Sequence, residues 1–354
     1  SILTNGLTGL LENYKDLKDK GIWKYYNEHQ QREDILSVND NGSIATDKTN
    51  NFEDFLGSEQ FTYDNQSGSI GGGNHFVELQ KVSEVLDSQT AYAWGLKKDS
   101  IVIMVHTGSV SLGHLTGSYA KEMLKEIYPK SLKHPDNGIY PLPESEKYKS
   151  QWDIYHSSLA NSANFAFVNR LLLGLMLQRA ITETIRECQF KLIYDASHNI
   201  VKKYDNYSYI HRKGACPARG CDAMTNPKFS YYGEPVFIPG SMGSKSYIMA
   251  GTGNKENLCS ASHGAGRKLS RGQALKEDNS KFEEFIKNFK IITPIDSNSD
   301  LIKKRSDILK KWQEDIKKEA PYAYKDISPI IDVHVENNMA KPVVELIPLF
   351  TIKG

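Results

Sequence analysis

Residues 101–105 read IVIMV, and the run stops at His106-Thr107-Gly108-Ser109. A short uninterrupted apolar run of this kind is typical of a strand buried on both faces. Polar chemistry therefore begins at a strand's end. Upstream, SIGGGNHFVELQKV sets three glycines ahead of Phe76, Val77, Leu79 and Val82, which suits a second strand leaving a tight turn. Around these, residues 7–36 predict one or two amphipathic helices, and 37–51 a polar loop with room for a short strand. Residues 119–127 read as helical, and 128–150, with four prolines, as an exposed loop. In 157–186 the apolar Ala160, Ala163, Phe167, Leu171 and Leu175 recur three or four apart with no proline, which predicts a long helix.

Further on, 190–194 predicts a short strand ending at Asp195, Ser197 and His198. Residues 211–266, dense in Gly, Ser and Pro, predict short strands and functional loops. Charged amphipathic helices follow at 276–289 and 300–318, and a last strand at 342–352. Strands and helices that alternate without a regular βαβ rhythm predict an α+β or mixed α/β protein. No internal repeat is present.

Lys plus Arg number 44 against 43 Asp plus Glu, so bulk charge gives no pull toward nucleic acid and any polyanion site must be a local patch. No apolar run is expected to reach the length of a membrane span, and no secretory signal is read in residues 1–10, which favours the cytoplasm and no membrane partner. Four cysteines make no disulfide framework; reduced thiols are expected, with Cys216 and Cys221 as loop residues.

Six of ten histidines, His75, His106, His114, His198, His211 and His263, sit in Gly, Ser or Asn-rich contexts or beside basic residues. An imidazole at a strand end or tight turn is presented outward on a rigid base, as a metal or phosphate site requires. His75, His106 and His198 suggest one shared metal site. The sequence FIPGSMGSKSY, 237–247, offers Ser241, Ser246, Lys245 and backbone amides to a nucleotide, although it lacks the spacing of a Walker loop. In CSASHGAGRKLSR, 259–271, His263 stands beside a Gly-Ala-Gly turn, with Arg267 and Arg271 four apart. A neutral imidazole is a competent nucleophile toward phosphorus, and nearby guanidiniums stabilise charge on phosphoryl oxygens. Arg212 and Lys213 in HRKGACPAR extend the candidate phosphate patch.

Taken in order, GGGNHFVE, HTGS, SHN, HRKGA, IPGSMG, SHGAGR, AYKD and a terminal KG resemble the RtcB-type RNA ligases, from about Gly71 to Gly354. The resemblance implies one compact α+β catalytic domain with mixed sheets and surrounding helices over 71–354, preceded by a helical and loop segment over 1–70. It implies a GTP- and Mn²⁺-dependent enzyme that joins RNA 3′-phosphate or 2′,3′-cyclic phosphate ends to 5′-hydroxyl ends in tRNA splicing or RNA repair. The family nucleophile, which carries GMP, falls on His263, and its manganese ligands on His75, His106 and His198. An asparagine beside the metals and triphosphate falls on Asn74, and guanylate contacts on Glu78, Ser241, Ser246, Ala265, Gly266, Tyr324 and Lys353; Arg212, Lys213, Arg267 and Arg271 are the expected RNA or phosphate contacts.

Two departures from the family are present. Nothing in residues 1–73 matches its Asp-x-Gly-Cys-Gly segment, whose Asp and Cys complete a two-metal site, and Val110 stands where the family has an arginine. The chain is then a fragment, or draws those ligands from a second chain, or has lost full ligation chemistry. An archease-type helper is a further expected partner. The alternatives to a ligase are a paralogue that holds RNA ends or GTP without turnover, and a metal-dependent RNA-end phosphoesterase.

Overall fold

A computed structural model of the chain describes residues 1–49, 66–204 and 208–354; part of the polar loop expected over 37–51 lies outside them. The fold is α+β. Its described residues divide into two compact units, 1–69 with 107–195, and 70–106 with 196–354. The breaks between the units fall at 69/70, 106/107 and 195/196.

The first unit is helical. The helix Lys149–Thr184 starts eight residues before the periodic stretch, and it buries Phe167 and Val168 against Leu7, Leu10 and Val38. Its asparagines clamp the amino-terminal helix Ile2–Glu12: Asn164 Nδ2 donates to the Leu3 and Ile44 carbonyls, and its Oδ1 accepts from Ile44 N–H. Gly6 makes that approach feasible, because a Cβ at its φ of +53° would lie 2.1 Å from the Gly42 carbonyl oxygen. Contrary to the sequence expectation, one stretch of this long helix does have the length and apolar composition of a membrane span, with 56% of it buried inside the fold. The strand expected at 190–194 does not form. Only an isolated bridge, Val38 to Asp195, is made, with Arg170 Nε donating to both Asp195 carboxylate oxygens at 2.7 and 2.9 Å. The polar bond set at Asp195 takes the place of a strand ladder.

The second unit holds the strands β1 (Phe76–Val85), β2 (Ile101–His106), β3 (Asn199–Lys203), β4 (Tyr209–Lys213), β5 (Ala215–Pro217), β6 (Pro235–Ile238), β7 (Ser246–Gly251), β8 (Ser260–Ser262), β9 (Ile291–Ile292) and β10 (Ala340–Ile352). A mixed sheet runs β2-β1-β10-β7-β6, with β9 parallel to β10, and β3-β4 and β5-β8 form two antiparallel pairs. The long terminal strand is the hub, since β1 and β7 both pair with it. One sheet face packs on Cys216, Ala261, Ile327 and Ile331, so Cys216 is a buried strand residue rather than the loop residue expected. All four cysteines are free thiols.

The IVIMV strand forms as expected, but it is not covered on both faces: β2 is an edge strand, Ile101 is exposed, and full burial is reached only at His106. Its apolar run serves one half-covered edge.

Candidate functional site

β1 and β2 are antiparallel with Phe76 opposite His106, so His75, just before β1, and His106, at the end of β2, emerge at the same end of the sheet. Their ring centroids lie 6.0 Å apart. His198 precedes β3 and His263 follows β8, and both are fixed through backbone: Ala215 N–H donates to the His198 carbonyl and His263 N–H to the Gly214 carbonyl, each at 3.2 Å. Gly214 takes φ +66° to make this turn, a conformation that favours glycine. The His198 and His263 rings stack at 4.1 Å between centroids, with His106 5.0 and 5.6 Å from them. One ring nitrogen each of His106, His198 and His263 lie within 4.8 Å of one another.

Sequence reasoning grouped His75, His106 and His198 as metal ligands and set His263 apart. The structure draws His263 into the closest trio and leaves His75 on its flank. His114 lies in the first unit, exposed on a helix, and His211 is exposed on β4.

Burial holds the His106 imidazole well below its ordinary range, and its three histidine neighbours and Lys353 push the same way. Burial also lowers His263, opposed by the bond to Gly214. Both rings are therefore neutral near pH 7, with a nitrogen lone pair available to a metal ion or an electrophile. Nδ1 of His263 is buried and has no hydrogen-bond partner among the described residues.

Beside the histidines lies a buried polar network. Glu78 on β1 accepts from Thr351 Oγ1 on β10 and from Gln80 Nε2 at 2.5 Å, and Gln80 Nε2 also reaches Ser246 Oγ at 3.1 Å. Gly240 N–H donates to the same Ser246 hydroxyl at 3.0 Å, which ties the IPGSMG loop to the network. Lys353 Nζ donates to the Gly73 and His75 carbonyls at 2.5 and 2.8 Å, which fixes the turn before β1. Burial brings the Lys353 ammonium down to about 8 and raises the Glu78 carboxyl to about 7.

Glu78 then holds its proton more tightly in the folded than in the unfolded chain, so its contribution to stability is fullest below about pH 4.5 and is lost as pH rises to about 7. The stability of the wild type relative to Glu78→Gln should fall by about 3 kcal/mol across that window. Denaturant melts of both proteins measure it. A difference that stays level or rises with pH would remove the buried-carboxyl reading.

Glu319, which the sequence did not single out, is the hub of a second cluster. It is buried, and accepts from Arg267 at 2.9 Å, from Arg271 at 3.0 Å and from the Tyr324 hydroxyl. Tyr324 also meets Asn74 Oδ1 at 3.1 Å and lies under the Arg267 guanidinium. Ala265 and Gly266 form the turn between His263 and Arg267, and the Gly266 carbonyl accepts from Lys325 N–H. Ser241 Oγ pairs with Ser244 Oγ at 2.9 Å. Arg212 is buried and donates to Ser260, Tyr204 and the Leu258 carbonyl, while Lys213 is exposed.

His334 was also missed. Its Nε2 accepts from Ser262 N–H at 3.0 Å, which puts the ring proton on Nδ1, 2.6 Å from the Ile330 carbonyl. The residue before His263 is thus held by an imidazole that is 1% exposed. Replacing it with alanine strands the Ser262 N–H, and a loss of about 2 kcal/mol is expected in thermal or chemical melts. A loss near zero would mean that Ser262 finds another acceptor. Gln80 had a visible signal: with Glu78 it occupies alternate positions of β1, two polar residues on the buried face. Glu319 and His334 carry no such local mark.

A family profile described as "RtcB: tRNA-splicing ligase RtcB" matches residues 10–354. The tRNA-splicing ligase RtcB of Methanocaldococcus jannaschii is 31% identical over 99% of this chain and 36% of its own length. That of Methanococcus maripaludis is 32% identical over 82% of this chain and 60% of its own, and the RNA-splicing ligase RtcB of Mycobacterium bovis 31% identical over 82% and 65%. The chain spans between about a third and two thirds of the length of these relatives.

Proposed function

This chain belongs to the RtcB family, and on that premise we propose that it is an RNA ligase that uses GTP to join a 3′-phosphate or 2′,3′-cyclic phosphate end to a 5′-hydroxyl end. The observation that carries the reading is the convergence of four imidazoles around His106, with His263 stacked on His198 and neutral. His263 is the nucleophile. Its ring nitrogen attacks the α-phosphorus of GTP, the P–N bond forms as the bond to the β-phosphate oxygen breaks, and pyrophosphate leaves. The guanylate then passes to the RNA 3′-phosphate, and the 5′-hydroxyl displaces GMP as the new phosphodiester forms.

His75, His106 and His198 are the residues that would hold manganese. The donor set fits: imidazole nitrogens suit a borderline first-row metal, burial keeps that of His106 neutral, and three ring nitrogens, one of them His263's, already lie within 4.8 Å. When bound, the ion supplies Lewis acidity against charge on the phosphates. Glu78, with Gln80 and Ser246 behind it, provides the acceptors suited to guanine N1–H and its 2-amino group. Lys353 fixes the Asn74–His75 turn, and Tyr324 holds Asn74 from the other side. The working partners in this reading are RNA and an archease-type helper, in the cytoplasm.

The test is ligation of two labelled RNA halves bearing those ends, with GTP and Mn²⁺. A joined product that needs both is the expected result; no joining with any supply of metal and nucleotide would overturn the reading. A second reading rests on the closeness of His263 to the other two ring nitrogens. If His263 is a metal ligand, the site is a phosphoesterase, and cyclic phosphate would open without GTP.

A further inference from the structure

We propose that the exposed face of the β3–β4 hairpin is a track for single-stranded RNA, along which the strand whose end reacts is led to the histidine site. This rests on the ligase reading for its destination, but the track itself is argued from the hairpin.

The antiparallel register pairs Asn199 with Lys213, Val201 with His211 and Lys203 with Tyr209. Directly paired residues share a face and alternate residues return to it, so one face carries Asn199, Val201, Lys203, Tyr209, His211 and Lys213. Four of these six, Asn199, Lys203, His211 and Lys213, are exposed. The opposite face is seated: Ile200 and Arg212 are 4% and 5% exposed, and the Arg212 guanidinium is spent on Ser260, Tyr204 and the Leu258 carbonyl. A buried cation thus anchors the ribbon and leaves its other face outward.

The whole chain carries 44 basic and 43 acidic side chains, whereas the charged side chains among the described residues of this face are Lys203 and Lys213. Lys203 Nζ lies over the Tyr209 ring, 5.5 Å from its centroid, which sets a cation and an aromatic plane side by side. Cations spaced along an extended ribbon track a phosphodiester backbone, and an aromatic ring beside them offers a surface for a base without regard to sequence. Duplex RNA buries its base faces in its own stack, so the ring favours a single strand.

The face is also continuous with the site. Asn199 follows His198 directly, its Oδ1 accepts from Gly214 N–H at 2.8 Å, and the Gly214 carbonyl accepts from His263 N–H at 3.2 Å. Lys213 adjoins that glycine and acts electrostatically on His263. A strand lying along the ribbon ends beside His198 and His263.

The probe is a short fluorescent single-stranded RNA with a 3′-phosphate, its binding to the full chain followed by anisotropy over a salt series. Lys203→Glu should weaken binding about tenfold at low salt and reduce the log–log salt slope by at least about 0.7, the value for one lost phosphate contact on a single strand. Lys203→Arg should bind like the wild type. Tyr209→Ala should weaken binding about fivefold or more with the slope kept. Lys310→Glu, an exposed lysine of the helix Ser306–Lys318, controls for net charge.

Equal losses from Lys203→Glu and Lys310→Glu would overturn the track, as would a Lys203→Arg that fails to bind while its melting is unchanged. A duplex probe bound as tightly as the single strand, with the same loss on Lys203→Glu, would overturn the single-strand assignment. GMP labelling of the wild type is read in parallel: binding that follows the pattern without labelling removes the ligase reading and leaves the track, and labelling without the pattern does the reverse.

Discussion

His263→Ala is expected to abolish covalent attachment of guanylate, with label from α-phosphate-labelled GTP and Mn²⁺ falling by about a thousandfold or more. The magnitude follows from the kind of residue removed. A nucleophile has no partial substitute when its ring nitrogen forms the bond, whereas removal of a binding group leaves the bond-forming atom in place. Three features of the structure direct the prediction to His263. Its backbone is pinned by the Gly214 carbonyl and its ring is stacked flat on His198, so the ring is held in a fixed orientation. Burial keeps it neutral. Its neighbour Ser262 is held from behind by His334. The measurement is label retained after denaturation, which is lost in acid if the bond is P–N. Label persisting on His263→Ala would transfer the role to another imidazole, and His198 is the first to examine because its ring lies parallel at 4.1 Å. His106→Ala supplies the contrast: it removes a proposed metal ligand, so its labelling should recover in part as Mn²⁺ is raised.

What the sequence made legible was the part written in short stretches of chain. IVIMV predicted β2 within a residue, and the glycines before His75 predicted a turn into β1. The terminal strand and the long helix were found with their ends two and eight residues out. Cover was misjudged because five apolar residues describe their own side chains and not their neighbours: β2 lies at the edge of its sheet, where one partner strand suffices. The helix predicted at 300–318 is broken between Lys303 and Ser306, where charged residues on both sides hide the break from periodicity.

The histidines were legible for a different reason. Glycine and serine beside a histidine mark a turn with little bulk, and a turn is where a side chain can be presented. Which histidines meet is a long-range fact. His106 and His263 are neighbours only because β1 brings the end of β2 to one end of the sheet and the β5–β8 pair brings His263 back, and no spacing in the chain encodes that. Glu319 is the plainest case: an acid in an amphipathic, highly charged helical region reads as solvated, and only the fold shows it 4% exposed between two arginines and a tyrosine.

That buried acid carries the second large effect. Glu319→Ala is expected to destabilise the protein by about 3 kcal/mol, because removal of one partner from a buried pair leaves the others with desolvated and unmatched charge. The three partners are not equivalent. Arg267 keeps 24% of its side chain exposed and also donates to the Leu269 and Lys318 carbonyls and to the Tyr324 hydroxyl, whereas Arg271 is 59% exposed and can turn to water. Arg271→Ala should therefore cost no more than about 1 kcal/mol, and the coupling in a double-mutant cycle should be larger for Glu319 with Arg267 than with Arg271. Glu319→Gln, which keeps an acceptor and loses the charge, should fall between wild type and alanine. Chemical denaturation of the four single variants and two doubles measures all of this. Equal coupling to both arginines, or an alanine cost below about 1 kcal/mol, would mean that solvent screens the cluster and that its burial does not govern its strength. The functional consequence follows from Tyr324, whose hydroxyl sits between Glu319 and Asn74. With the carboxylate gone, the arm that holds the Asn74–His75 turn loses its base, so Glu319→Ala should raise the GTP concentration needed for half-maximal labelling of His263 even under conditions where the chain remains folded.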